Sequence, residues 1–274
     1  MIKKILRKIL FWIGSDHLNL TKTIFVNYLL LSPRDFIKFP ILIYGPCKLG
    51  QLTGKIVFFS SVKRGMLTIG ESDAVRSCAS VSYINIQGRL EIGNGVHMRR
   101  GIRLDILSSG QLILGNNVYI GDNNTIISFI SIKFGQATRV GNNSTFMDTD
   151  FHYVINIATR DVKAYQAPIV IGENCWIGGW CTIKKNTNLP KGTIVAGPFS
   201  MTSKDYTQKI SESSLIAGSP AKLVVENMRR VNNDISSKMI NEFYDDMNNA
   251  QKLFHLSENV DIDDFCMPPS EGNK

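Results

Sequence analysis

Between residues 168 and 203 the apolar positions form a column six residues apart: Ile171, Ile177, Ile183, Leu189, Val195 and Met201. Six is the period of neither an α-helix nor a single strand, and a fixed internal period outranks local propensity as a signal. The pattern predicts short strands joined by sharp corners, three sides to a turn, with each aliphatic side chain directed into a triangular prism. A second inward column must be small and holds Cys175, Cys181, Thr187 and Thr193. Phe199 falls in that column and is too large for it, so it is expected to cap or widen the last coil. Glycine often follows the aliphatic residue, because a tight corner admits positive φ.

The same period recurs upstream with interruptions. Leu114-Gly115 and Ile120-Gly121 are six apart, Ile126 follows in phase, and Val140-Gly141 opens another block. Residues 65–70, 88–93 and 110–115 share the form G-x-L-x-[IL]-G. The period predicts a mainly β chain with a parallel β-helix over residues 50–224. It breaks near 151–167, in the stretch INIATRDVKAYQAP and the residues before it, which predicts a loop leaving the solenoid; such insertions cost little stability and tend to carry function.

The ends differ from the repeat. Residues 1–49 are rich in Leu, Ile and Phe without the six-residue period, which predicts helices. Residues 1–14 pair Lys3, Lys4, Arg7 and Lys8 with an apolar stripe at helical spacing. That segment suits either packing on its own protein or peripheral contact with an anionic membrane face. No cleavage-site pattern follows it, so a secretory signal is not expected, and TIFVNYLLL is too short to span a bilayer. In the C-terminal region 225–274, Met228, Val231, Ile235, Met239, Phe243 and Met247 are three or four apart, which predicts a docking helix. An acidic, loose tail is expected after residue 256.

Composition narrows the partners. The chain has 274 residues, 43% of them hydrophobic, and a formal charge of +8. The basic excess suits an anionic ligand or surface, and without a basic block interleaved with aromatics, nucleic acid is not expected as a partner. Five cysteines with no CxxC spacing argue against a disulfide framework and for a reducing cytoplasm. Of the four histidines, His152 stands at the break in the repeat, in MDTDFHYV. His97 falls at an outward position, and His17 and His255 lie outside the coils.

The repeat, Asp150-Phe151-His152 in its break, the segment IGENCWIGGWCTI and the closing SLIAGSPAKLV together resemble the left-handed β-helix acyltransferases of the hexapeptide-repeat family, of the sugar and xenobiotic O-acetyltransferase type. The resemblance implies a left-handed parallel β-helix with helical N- and C-terminal extensions, acetyl-CoA as co-substrate, a carbohydrate acceptor and a homotrimer with sites between subunits. It implies His152 as general base, with Asp150, or else Asp148, holding the other ring nitrogen or an acceptor hydroxyl. Backbone at Gly179 and Gly197 would meet the pantetheine arm, and the Gly179 N–H the developing oxyanion. Thr202, Ser203 and Lys204 stand where the family has Thr-Lys beside the cofactor, one residue out of step. Lys222 is the candidate for a CoA phosphate, although Val225 stands where a second basic residue is common. Trp180 replaces the usual small residue and is expected to crowd or cover the groove. Surface polysaccharide biosynthesis, in the cytoplasm or at the inner face of the membrane, fits these expectations. The alternatives are an acyltransferase for a xenobiotic or amino-sugar acceptor and a non-catalytic structural β-helix subunit. A zinc enzyme with three His ligands is not expected, because only His97 and His152 fall within the coils.

Overall fold

The computed structural model of the chain describes residues 17–71 and 80–267. The expected segment 1–14 and the end of the tail lie outside these residues. Within them the chain winds as a three-sided parallel β-helix. Wall 1 stacks Ile41–Ile43, Leu67–Glu71, Val96–Arg99, Tyr119–Ile120, Arg139–Val140, Trp176–Ile177, Ile194–Val195 and Leu215–Ala217. Wall 2 runs from Cys47–Leu52 to Met201–Thr202, and wall 3 from Lys55–Phe58 to Asn188–Leu189. The first rung is the Ile41–Ile43 strand, paired with Leu67–Ile69, so the coil starts ahead of residue 50.

Each wall points one side chain per rung inward. Ile120, Val140, Ile177, Val195 and Ile216 line wall 1, Leu104, Ile126, Phe146 and Ile183 wall 2, and Leu112, Phe134, Ile171 and Leu189 wall 3. All are at most 2% exposed, and each such side chain stabilises the fold by about 1.5–3 kcal/mol. Phe134 and Phe146 meet edge to face across the prism, with ring centroids 4.9 Å apart.

The frame differs from its expected phase at one rung. Thr182 pairs with Met201, so Ile183 faces Thr202 rather than Met201. Thr202 is buried, and its Oγ1 lies 2.6 Å from that of Thr187. Ser200 fills the small inward position, and Phe199 is turned out, 72% exposed. The corner Gly197-Pro198-Phe199 holds one residue more than the corner below it, which advances the frame by one.

Coil length explains why the period fades upstream. Trp176 pairs with Ile194, eighteen residues on. Tyr119 pairs with Arg139, twenty on, His97 with Tyr119, twenty-two on, and Leu67 with Val96, twenty-nine on. The walls stay in register while the corners lengthen toward the N-terminus.

Helix α1 (Leu20–Leu30) closes the N-terminal end. Asn19 caps it, its side chain accepting from the Lys22 N–H at 3.1 Å. Val26 and Leu30 bury against Ile41 and Ile43. Asn27, wholly buried, donates to the Ile41 carbonyl at 2.7 Å and accepts from its N–H at 3.2 Å. The helix thus pairs backbone that an open strand edge would leave unmatched.

At the other end the chain turns back in Lys222–Val225, antiparallel to Leu215–Ala217. It then descends as a strap: Met228 donates its N–H to the Ser213 carbonyl, and Asn232 donates to the Ala137 carbonyl. Met228 and Val231 lie in the strap, outside any helix, and the expected helix begins only at α2 (Asp234–Asp245), capped by Asn233. Among the described residues no helix is long and apolar enough to cross a membrane.

Cys175 and Cys181 occupy the small inward column as expected. Burial raises the Cys175 thiol to about 12 and Cys181 to about 11, so neither forms the reactive thiolate near neutral pH. Native protein treated with a thiol-disulfide reagent at pH 8, followed by peptide mapping, is expected to leave both unlabelled until denaturant is added. Labelling of either in the folded state would contradict their core placement.

Candidate active site

The break in the repeat is an arm at the corner between walls 2 and 3. It leaves wall 2 after Met147 and rejoins wall 3 at Ile169. Between them Val154–Ile155 and Val162–Lys163 pair antiparallel around a turn in which the Asn156 side chain accepts from the N–H groups of Ala158 and Thr159. The arm carries Tyr153, Val154, Ile155, Ile157 and Val162 exposed in the single chain, Ile157 at 89%.

Two aspartates set its base. Asp148 is fully buried and accepts from the N–H groups of Phe129, Ile130 and Ser131 at 2.7–2.8 Å and from the Ser128 hydroxyl at 3.1 Å. It pins the corner of the preceding coil and is not available to a histidine. Asp150 lies 2.8 Å from Lys184 Nζ and 3.2 Å from Lys185 Nζ. His152 follows on the exposed arm, and its ring has no hydrogen-bond partner among the described residues. The expected Asp150–His152 hydrogen bond is therefore not formed: the lysines of the next rung take both Asp150 oxygens. Asp150, His152, Asn156, Lys163 and Lys185 line a cavity of about 680 Å³ under the arm.

The Lys184 hydrogen bond, helped by Lys185, holds the Asp150 carboxyl below its usual value against the opposing effect of burial. A depressed carboxylate stabilises the fold above its ordinary pKa, and that contribution is lost as pH falls through the folded value. The pair is part exposed, so it is worth below about 1 kcal/mol. A carbon NMR titration of the Asp150 carboxyl is expected to give a midpoint below 3.8, moving upward in Lys184→Ala; a midpoint at or above the ordinary value would contradict the pairing.

Ser203 and Lys204 belong to the same corner one coil further on. Ser203 lines a second cavity of about 360 Å³ with Asp150, Lys184 and Lys185. Thr202 does not join them: its side chain faces the core, so the one-residue shift removes it from the expected groove.

Gly179 and Gly197 lie elsewhere, stacked at the corner between walls 1 and 2. A Cβ on Gly197 would sit 2.2 Å from the Gly179 carbonyl oxygen, so only glycine permits this approach. Among the described residues neither glycine donates its N–H to a backbone acceptor, which leaves two donors for a ligand. Trp180 and Phe199 follow these glycines with φ of 62° and 66°, where the rungs below carry Gly101, Asn123 and Asn143 at positive φ. Bulky residues are rare in that region. Their rings, 6.5 Å apart, stand out as an apolar lip beside the glycines. Lys222 is exposed on the returning strand above this corner, paired with Ala217.

No family model matches the chain. It is 34% identical over 155 residues to an uncharacterized 24.8 kDa protein in the cps region of Klebsiella pneumoniae, covering 54% of this chain and 64% of that protein. It is 24% identical over 166 residues to a probable acetyltransferase of Mycobacterium tuberculosis, covering 60% and 51%. It is 27% identical over 167 residues to the galactoside O-acetyltransferase of Escherichia coli, covering 61% and 67%. The chain is similar in sequence to acetyltransferases. It spans about half to two thirds of these relatives' length. Among solved structures, the polysialic-acid-specific acetyltransferase NeuO aligns over 76% of this chain and 83% of its own at 16% identity, with a TM-score of 0.42. The polysialic acid O-acetyltransferase OatWY aligns over 72% and 99% at 20% identity, also with a TM-score of 0.42.

Sequence reasoning gave no role to the two lysines beside Asp150, Lys184 and Lys185. The wall register brings them beside the arm: Thr145–Met147 pairs with Thr182–Lys184, so Lys184 stands directly over Met147, three residues before Asp150.

Proposed function

We propose that this chain is an acetyl-CoA-dependent O-acetyltransferase that acts on a carbohydrate hydroxyl in polysaccharide biosynthesis, with His152 as general base. The observation that carries this reading is the arm, which sets a solvent-reaching imidazole over a cavity on an otherwise rigid prism. A sugar hydroxyl becomes an effective nucleophile when a base takes its proton, and a neutral imidazole suits that task near neutral pH. Acetyl-CoA supplies the activated acyl group. The free N–H groups at Gly179 and Gly197 fit its amide-bearing arm and the oxygen that gains charge during transfer, and Lys222 fits a phosphate. Ser203 and Lys204 stand on the His152 corner, where they would face the cofactor or the acceptor.

In a single chain the glycine corner and the His152 corner flank opposite edges of wall 2. A site that uses both needs the corner of a second copy, which supports a homotrimer with sites between subunits. The exposed apolar side chains of the arm are the surface such a neighbour would cover. Asp150 then acts as the anchor that fixes the arm to Lys184 and Lys185, and so positions His152. Among the described residues the cysteines are buried and free, which suits a cytoplasmic setting.

The test is transfer of labelled acetyl from acetyl-CoA to a panel of neutral and acidic saccharides, with chromatographic detection of the ester. Acetyl-CoA-dependent label on a saccharide hydroxyl is the expected result. Label on an amine only, or none on any saccharide although acetyl-CoA binds, would contradict the O-transfer reading.

A further inference from the structure

The outer face of wall 1 carries an in-register row that the proposed reaction does not use. His97 pairs with Tyr119, Tyr119 with Arg139, and Arg139 with Trp176, one per rung. Successive rungs stand about 4.8 Å apart, so the side chains form a ladder along the prism axis. Thr68 joins its lower end, its Oγ1 2.8 Å from His97 Nδ1. Arg139 lies over the Tyr119 ring, 5.2 Å from its centroid. The strap brings Arg230 against this row.

Arg139 Nε and Arg230 Nη1 both donate to one neutral acceptor, Asn232 Oδ1, at 3.0 and 2.5 Å. Arg139 also donates to the Asn117 carbonyl at 3.2 Å. Among the described residues neither arginine forms an ion pair; the acid that acts on both is Asp234, at a distance beyond contact. Burial, and for Arg230 the neighbouring Arg139 charge, lowers both guanidiniums, Arg230 to about 10. A guanidinium has five N–H donors in a planar fork that matches carboxylate or phosphate. Among the described residues most of those donors have no protein acceptor. The two arginines, Tyr119, Trp176, Gly141 and Asn142 line one cavity of about 430 Å³, a size that suits a single sugar unit.

We propose that Arg139 and Arg230 bind the anionic group of an acidic carbohydrate, carboxylate or sugar phosphate, whose ring lies on the exposed indole of Trp176. The ligand's charge offsets the repulsion between the arginines, and charge-assisted, forked hydrogen bonds are the strong ones. Trp176 supplies a flat apolar face with a polar tip. Gly141 and Asn142 set this cavity one rung from Gly179, beside the glycine corner and away from the chain's own His152, so the unit held here neighbours the one acetylated. The site anchors an extended acidic acceptor along the rungs. That the bound glycan is the acceptor rests on the transferase reading; that it binds does not.

The test is a titration of the full chain, without acetyl-CoA and at low ionic strength, with a hyaluronan hexasaccharide and with neutral maltohexaose. The acidic oligosaccharide is expected to bind and the neutral one not. Arg230→Gln and Trp176→Leu are each expected to weaken binding by about ten- to a hundredfold, with acetyl-CoA affinity unchanged. Arg230→Gln should melt at or above the wild-type temperature, because it removes a repulsion; if it melts lower, Trp176→Leu carries the test. Equal binding of the neutral chain, or acidic binding untouched by both substitutions, would overturn the proposal. So would a loss of acetyl-CoA affinity in Arg230→Gln, which would assign the arginines to the CoA phosphates. Acidic binding in a protein that fails to bind acetyl-CoA would leave this site standing and remove the transferase reading instead.

Discussion

His152→Ala is expected to lower kcat/KM for acetyl transfer by about a hundred- to ten-thousandfold, the range general-base catalysis supplies, while acetyl-CoA still binds. The side chain is exposed, has no hydrogen-bond partner among the described residues, and packs nothing that the fold depends on. The melting temperature should therefore not move. This pattern separates chemistry from stability and from cofactor affinity. Asp150→Ala should give a different result: it releases the arm from Lys184 and Lys185, so its activity loss should shrink as acceptor concentration rises. A His152→Ala enzyme with unchanged turnover would remove His152 as the base.

Asp148→Ala is expected to cost about 2–4 kcal/mol of stability, because it strands three backbone N–H groups and a hydroxyl that now share one buried carboxylate. Asp148→Asn keeps one acceptor oxygen and should lose less. Chemical denaturation of the purified variants checks both, with a lower midpoint at unchanged slope as the expected form. Equal stability of wild type and Asp148→Ala would contradict the role assigned to this corner. The contrast with Asp150, two residues on, is steep: one carboxylate holds the solenoid together, and the other holds the arm to it.

The walls were legible because their inward columns obey a strict rule, one aliphatic per side. That rule held from Ile171 to Val195, where coils are eighteen residues long. It weakened upstream, where Leu67 and Val96 are paired across twenty-nine residues, because longer corners shift the frame without disturbing the walls. The same cause misplaced Met201 and Thr202. A single added corner residue reverses which of two neighbours faces the core, and no local propensity reports it. His152 was legible from its place in the break. Its relation to Asp150 was not, because proximity in sequence says nothing about Lys184 and Lys185, which the register of wall 2 delivers from the next coil. Arg139 and Arg230 were invisible for the same reason: they are ninety-one residues apart and meet only because the strap descends across wall 1.

The central claim is that this prism holds acetyl-CoA beside one displaced histidine. Isothermal calorimetry with acetyl-CoA, on wild type and His152→Ala, tests it most directly. The account predicts saturable binding near one equivalent per subunit in both proteins, with acetyl transfer lost only in the variant. No binding by the wild type would contradict it and leave the chain a structural β-helix.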